Sequence, residues 1–427
     1  MAMQLLAVGD LHLGAAPSRL PPGLSERAAA LGTAAVWRRI VDQAIAQPVH
    51  AVLLAGDVVE EEDDFFEAYS ELAQGVERLV SQGIRVLAVV GNHDVQVLPR
   101  LADRIRGLEL LGRDGHWQQV TLNKASEFLT LHGWSFPEKR VRHSPLSGVH
   151  FTPGQGPNLA LLHGDRDQPD SPYAPLASSE LAATGLDGWL LGHIHKPDPL
   201  TAGAPRGYLG SATGLNPGES GPRGPWLMSV SQGAITRMEQ WCIAPLHWQS
   251  LTVDLTGIGH EDQARERLLE AIAELDQSLG RHRQPPEAAA LRVHFTGRTQ
   301  LGAQVQSLLS SESLDRLLVG DRSIHYFVES CVYAIQPELS LEQLSRRSDP
   351  VGLLAQKLRL LENPPEDPAR QILIRQAREQ MMANQDKSWW RVLQTPSPDE
   401  AQVARWLWQS GLTALDQLLA QQGATHP

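Results

Sequence analysis

Five times in its first half this chain sets metal-type ligands beside a glycine at the end of a short apolar run. The segments are Gly9-Asp10-Leu11-His12, Gly56-Asp57, Gly91-Asn92-His93-Asp94, His163-Gly164-Asp165 and Gly192-His193-Ile194-His195. Apolar runs of this kind read as buried strands of a parallel sheet. A glycine there allows a tight turn, so the neighbouring side chain leaves the strand at an unusual angle. In open α/β sheets the carboxyl edge of the strands is where sites assemble. Taken singly, each segment is more often a turn or a surface pair. Their recurrence behind apolar strands points to one shared cluster of Asp, Asn and His side chains. Imidazole and carboxylate together suit manganese, iron or zinc. Two such ions ~3.5–4 Å apart clamp a phosphoryl group and share an ionised water. A ligand common to both ions must be a carboxylate or the water, since neutral imidazole offers one lone pair. Asp57 is the natural bridge.

The surrounding pattern alternates strand and helix. Strands are expected at Gln4–Val8, His50–Ala55, Arg85–Val90, Leu159–Leu162 and Gly188–Leu191. Ser25 caps an expected helix running to about Gln47, and a second helix is expected over Asp64–Gln82. Apolar runs from Trp226 to Trp248 are expected as antiparallel additions. At 427 residues the chain is too long for one ordinary core and calls for roughly two to three domains. The expected division is an α/β domain over 1–245, a small α+β domain over 250–338 and a helical region over 340–427. The middle part reads βαβαβ: strand Leu251–Leu255, helix Glu261–Leu279, strand Leu291–Phe295, helix Gln300–Leu309 and strand Ser323–Ile335. The last part repeats leucine at helical spacing over Val351–Leu361 and Val403–Leu419, with prolines between.

Composition excludes several classes. Hydrophobic residues at 42% and charged residues at 20% rule out a wholly disordered chain. No apolar stretch approaches the ~18 residues of a membrane span. The N-terminus lacks the basic and apolar regions of a signal peptide. Two cysteines, Cys242 and Cys331, make no disulfide framework, so a cytoplasmic location is expected. The net charge of −12 argues against a chain that wraps nucleic acid unaided. Any such grip must be local, metal-assisted or supplied by a partner.

The order GD-x-H, GD, GNHD, H, GH-x-H over residues 9–195 resembles the calcineurin-like metallophosphoesterase superfamily. That resemblance implies a four-layer α/β/β/α sandwich with a small α+β capping domain and a helical C-terminal region. It implies two divalent metal ions, manganese first, with iron or zinc as alternatives. Asp10, His12, Asp57 and His195 would hold one ion; Asp57, Asn92, His163 and His193 would hold the other. His93 matches the position that serves catalysis without binding metal. The segments GDLHLG, GHIHKPDPL and YLGSATGLNPGESGPRG resemble the DNA-repair nuclease branch, SbcD-type nuclease subunits, and within it YhaO-like proteins. The branch implies a DNA exonuclease or endonuclease acting through a metal-activated hydroxide. It implies a coiled-coil ATPase partner of SbcC/YhaN type and a homodimer.

Glu60 departs from that branch, which commonly has histidine there. It can orient His93 as an aspartate does in the superfamily's phosphoprotein phosphatases, or simply begin the acidic run Glu60–Asp64 at a helix N-terminus. That run repels a polyanion and favours the alternative substrate class, small phosphoesters or phosphoproteins. Arg223 is a candidate phosphate contact. Asp165 and Arg166 are expected at the surface, and His116, His132, His143 and His150 as loop or structural residues. Of the eleven tryptophans, Trp37, Trp189 and Trp241 are expected in the core. Trp389, Trp390, Trp406 and Trp408 either pack the helical tail or dock a partner.

Overall fold

The computed structural model describes residues 2–60, 65–301, 304–310, 314, 323–385 and 398–423. It divides into two compact units. The first comprises 1–297 with 303–335, and the second 298–302 with 336–427.

The first unit holds three sheets. Strands β1 (Met3–Val8), β2 (Ala51–Ala55), β3 (Arg85–Val89) and β4 (Leu108–Leu110) run parallel. With β10 (Trp226–Ser231) and β11 (Ala234–Gln240) added antiparallel, they form a six-stranded sheet in the order β11-β10-β1-β2-β3-β4. A five-stranded sheet runs β5 (Gln118–Lys124), β6 (Glu127–Trp134), β7 (Asn158–His163), β8 (Gly188–Gly192), β9 (Arg206–Tyr208). Here β6 to β9 are parallel and β5 is antiparallel to β6.

Side-chain alternation explains why both faces of these strands are apolar. Leu5, Ala7, Leu53, Leu87 and Val89 point from the first sheet into a core shared with Leu129, Leu131, Leu159, Leu161 and Leu190 of the second. The intervening residues, Leu6, Val8, Val52 and Leu54 among them, face the other way onto Val36, Trp37, Ile40, Leu72 and Val76 of helices Thr33–Ala46 and Phe65–Ser81. On the second sheet Ala160, Leu162, Trp189 and Leu191 pack outward with Leu181 of helix Ser178–Ala183. The layering is mixed α/β, with two sheets face to face and helices outside.

Two sequence expectations need correction. The helix expected from Ser25 to Gln47 is three helices, Pro22–Ser25, Ala28–Leu31 and Thr33–Ala46. Gly32 is extended at φ −93°, ψ −162°, and the Ser25 hydroxyl donates to the Pro21 carbonyl rather than capping. The second concerns Leu246–Trp248, which belongs to β12 (Leu246–Asp254). That strand pairs parallel with β13 (Ala288–Thr299), not antiparallel with β10 and β11. Trp248 there joins a separate core with Ala288, Ala290 and Phe327. The third sheet is completed by β14 (His325–Pro337), giving the order β12-β13-β14, with helix Glu261–Leu279 between its first two strands.

The second unit contains helices Leu341–Leu344, Pro350–Glu362, Pro368–Gln385 and Glu400–Gly423. Asp349 caps Pro350–Glu362 by accepting from the Gly352 N–H at 3.0 Å. Val351, Leu358 and Leu415 form its core, with Trp408 and Leu412 packed on them. Trp406 is exposed, and Trp389 and Trp390 lie outside the described residues.

The inter-sheet core sets stability and the spacing of the strand ends. Leu161 is fully buried in it. Leu161→Ala should cost about 2–5 kcal/mol. The expected result is a lower urea midpoint at unchanged m-value, read by circular dichroism.

Candidate metal centre

Parallel strands deliver their carboxyl ends to one edge. Asp10, Asp57, Asn92 and His93 follow β1, β2 and β3 of the first sheet, while His163 ends β7 and His193 and His195 follow β8 of the second. The two edges meet because glycines let them approach. A Cβ on Gly56 would strike the His163 side chain, and one on Gly192 would strike the Ala55 carbonyl. Four of the functional residues adopt left-handed backbone: Asp10 at φ 30°, His12 at 51°, Asp57 at 46° and His193 at 106°. Such non-glycine conformations cost about 1–3 kcal/mol each and persist where the surroundings over-determine them. Here the turns swing each side chain toward the seam between the sheets.

Beside a cluster of His12, Glu60 and His93, the donor atoms fall into two groups that hold the expected ligands. Asp10, His12 and His195 converge in one, Asp57, His163 and His193 in the other, each with its ligand atoms within 4.8 Å of one another. Within the first, His12 Nε2 and His195 Nε2 face each other at 3.1 Å. In the second, the Asn92 side-chain oxygen lies 3.0 Å from His163 Nε2 and 3.1 Å from His193 Nδ1. Asp57 Oδ2 stands 3.2 Å from His163 Nε2 and 3.9 Å from His12 Nε2, between the groups. Its Oδ1 accepts the His93 backbone N–H at 2.9 Å. All seven sequence-derived ligands, Asp10, His12, Asp57, Asn92, His163, His193 and His195, are thus brought together.

The electrostatics fit cations. Burial alone would raise Asp57, but the charge and hydrogen bond of His163, then the charges of His12 and His93, hold it below the usual carboxylate range. Burial likewise opposes charge on His163, yet Asp57 and Asp10 push it up to about 9. The pocket's field therefore demands a positive charge. Asp10 Oδ2 is buried without a hydrogen-bond partner, and two imidazole Nε2 atoms turn toward each other beside it. Divalent ions satisfy these acceptors directly.

Outer carboxylates fix the first group's histidines. Glu60 Oε2 lies 2.5 Å from His12 Nδ1, and Glu219 Oε1 lies 3.2 Å from His195 Nδ1. Holding Nδ1 leaves Nε2 for an ion and raises its basicity. Glu219 is itself fixed by Ser211, the Leu215 N–H and Asn216. The Glu60 carboxylate is 3.9 Å from His93 Nδ1, whereas the Glu60 backbone carbonyl is 3.1 Å from it. Glu60 thus addresses His12 with its side chain and His93 with its main chain. Asp94 is fully buried and accepts from Val58 N–H at 2.7 Å and Gly91 N–H at 2.8 Å, pinning two ligand loops together. Burial, with the charge of Asp57, pushes it up to about 7.

Glu219 escaped the sequence reading; its signal was its place in the glycine-rich segment 208–224. Asp165, expected at the surface, is half-buried with Oδ2 3.5 Å from His193 Nε2. Arg223 is buried, bonded to the His195 carbonyl, the Ser211 hydroxyl and the Ser220 carbonyl. It braces the His195 turn from behind. Among the described residues His116, His132, His143 and His150 join no such group.

Residues 3–197 match the model of the calcineurin-like phosphoesterase family. Residues 248–318 match the middle domain of metallophosphoesterase YhaO. Residues 3–197 are thus a calcineurin-like metallophosphoesterase domain. The second match marks residues 248–318 as similar to a YhaO middle domain. The uncharacterized metallophosphoesterase YhaO of Bacillus subtilis is 27% identical over 60% of this chain and 64% of its own length. The DNA double-strand break repair protein Mre11 of Methanopyrus kandleri is 22% identical over 62% of each chain. The chain therefore spans less than two thirds of either relative. A dimetal phosphatase from Danio rerio is similar over 55% of this chain at 12% identity and a TM-score of 0.35.

Metal content tests the assignment. Asp57→Ala should lose both ions, because its carboxylate serves both groups. Glu219→Gln should keep the fold and weaken ion affinity by about 10–100-fold. Plasma mass spectrometry and calorimetric titration read these outcomes; two ions retained by Asp57→Ala would refute the shared ligand.

Proposed function

We propose that this protein is a dinuclear-metal-dependent phosphodiesterase whose substrate is DNA, acting as a repair nuclease with manganese as its working metal. The observation that carries the reading is the pair of ligand groups with Asp57 between them and His93 beside them. When bound, the ions supply Lewis acidity toward a phosphoryl oxygen and a nucleophile at neutral pH.

The protein's own residues do the rest. Asp10, His12, Asp57, Asn92, His163, His193 and His195 would hold the two ions. Glu60 and Glu219 keep His12 and His195 in their working orientation. His93 is exposed at the rim, with Nδ1 against the Glu60 carbonyl. With Nδ1–H donated to that carbonyl, an Nε2–H on the imidazolium is free to stabilise charge on the phosphoryl group or protonate the departing oxygen.

Support for DNA comes from the relative described as a DNA double-strand break repair protein. A coiled-coil ATPase of SbcC/YhaN type would add grip that a chain of net charge −12 lacks. A homodimer is the further assembly proposed. The second reading is hydrolysis of small phosphoesters or phosphoproteins. It is favoured by the Glu60 carboxylate beside the centre, a negative charge facing any approaching polyanion.

Parent and His93→Ala proteins, both manganese-loaded, should be compared on end-labelled linear, hairpin and circular single-stranded DNA. The parent is expected to cleave. His93→Ala should retain its metal and lose roughly 10²–10⁴-fold in rate. Hydrolysis of a nitrophenyl phosphodiester without cleavage of any DNA would favour the second reading.

A further inference from the structure

The substrate reading above needs a local patch of positive charge, and one lies beside the centre. Most arginines of the first unit are neutralised: Arg38, Arg39, Arg78, Arg85 and Arg166 each meet a carboxylate. The segment Lys139-Arg140-Val141-Arg142 is different. Its three cations are exposed, and none has an ion-pair or hydrogen-bond partner among the described residues. Glu138, its neighbour in sequence, and Asp170, near its partner strand, form no ion pair with it.

This segment is tied to the metal centre by backbone. Val141 forms a parallel bridge with Tyr173. The Val141 N–H donates to the Pro172 carbonyl and the Ala174 N–H to the Val141 carbonyl, both at 2.8 Å. Tyr173 in turn sets its ring 5.2 Å from the ring of His193. Val141 is buried, so alternation along an extended backbone sends Arg140 and Arg142 to the opposite, solvent side. Residues two apart in such a segment lie about 6.5–7 Å apart, comparable with successive phosphates of one nucleotide strand. Beyond the centre, Lys196 follows the candidate ligand His195 and is also exposed, with no partner among the described residues.

We propose that Lys139, Arg140 and Arg142 form a phosphate track that holds a polynucleotide strand on the His193 side of the metal centre. The inference rests on the nuclease reading and supplies its substrate contact. A track that pays no desolvation penalty to internal carboxylates keeps its charge for the ligand. It also explains how an acidic protein grips a polyanion: the contact is short, unpaired and next to the ions.

The test uses the manganese-loaded full chain and the doubly substituted Arg140→Ala/Arg142→Ala protein. Metal content and thermal melting establish that the variant is folded and loaded. Binding of a fluorescein-labelled single-stranded 30-mer is measured by anisotropy across salt concentrations. The expected result is an affinity loss of roughly tenfold or more at low salt. The slope of log affinity against log salt should also shrink by about 1.4, two contacts at about 0.7 each. Equal affinity and slope in parent and variant would overturn the track and leave the nuclease reading standing. A parent that ignores the 30-mer but hydrolyses a nitrophenyl phosphodiester would overturn both. A parent that prefers a doubly phosphorylated peptide, bound through the same arginines, would replace the polynucleotide with a phosphoprotein.

Discussion

The structure turns on an electrostatic conflict at the seam of two sheets. The buried carboxylates of Asp10 and Asp57, each 2% exposed, stand among the imidazoles of His12, His163, His193 and His195. Unpaired, each buried charge would be costly. Part of the conflict is met by His163, pushed up to about 9 by the two carboxylates. Divalent ions would meet it further, since Asp10 Oδ2 and the two facing Nε2 atoms are acceptors they could take up. The left-handed turns at Asp10, His12, Asp57 and His193 and the glycines that let the sheets touch are the backbone cost of assembling that cluster. The inter-sheet core around Leu5, Leu53, Leu161 and Leu190 holds the two edges at the separation the cluster requires.

The two ligand groups are buttressed differently. His12 and His195 each have a carboxylate at Nδ1, whereas His163 Nδ1 lies 3.1 Å from the Ala55 carbonyl. More negative charge surrounds the group containing Asp10. His93 sits outside both, exposed and held by a main-chain carbonyl, which suits a group that must meet substrate rather than metal.

How legible was this in the sequence? The convergence of the seven candidate residues was, because each follows a local rule: an apolar strand, a glycine beside its end, and a metal-type side chain at the sheet's carboxyl edge. Each ligand group draws residues from both sheets, but the strand ends announce themselves independently. What was not legible depends on contacts distant in sequence. Strands β4, β5 and β6 are short or mixed in polarity and were not expected; β5 exposes Gln118 and Gln119. The roles of Glu219 and Asp165 exist only because loops fold back over His195 and His193. Glu60 appeared to face a choice between His93 and solvent, and geometry gave a third answer, His12. The break at Gly32 was overlooked because the alanine-rich flanks favour helix on both sides. The strand Leu246–Trp248 shares an apolar pattern with its antiparallel predecessors, and only the docking of Trp248 against Ala288 and Ala290 assigns it to the third sheet.

The central claim is that one carboxylate, Asp57, joins two metal positions. A crystal structure of the manganese-loaded protein, with anomalous data at the manganese edge, tests this most directly. The account predicts two peaks about 3.5–4 Å apart on either side of Asp57. One should lie among Asp10, His12 and His195, the other among Asn92, His163 and His193. A single peak, or a peak enclosed by His12, Glu60 and His93 with the Asp57 groups empty, would contradict it.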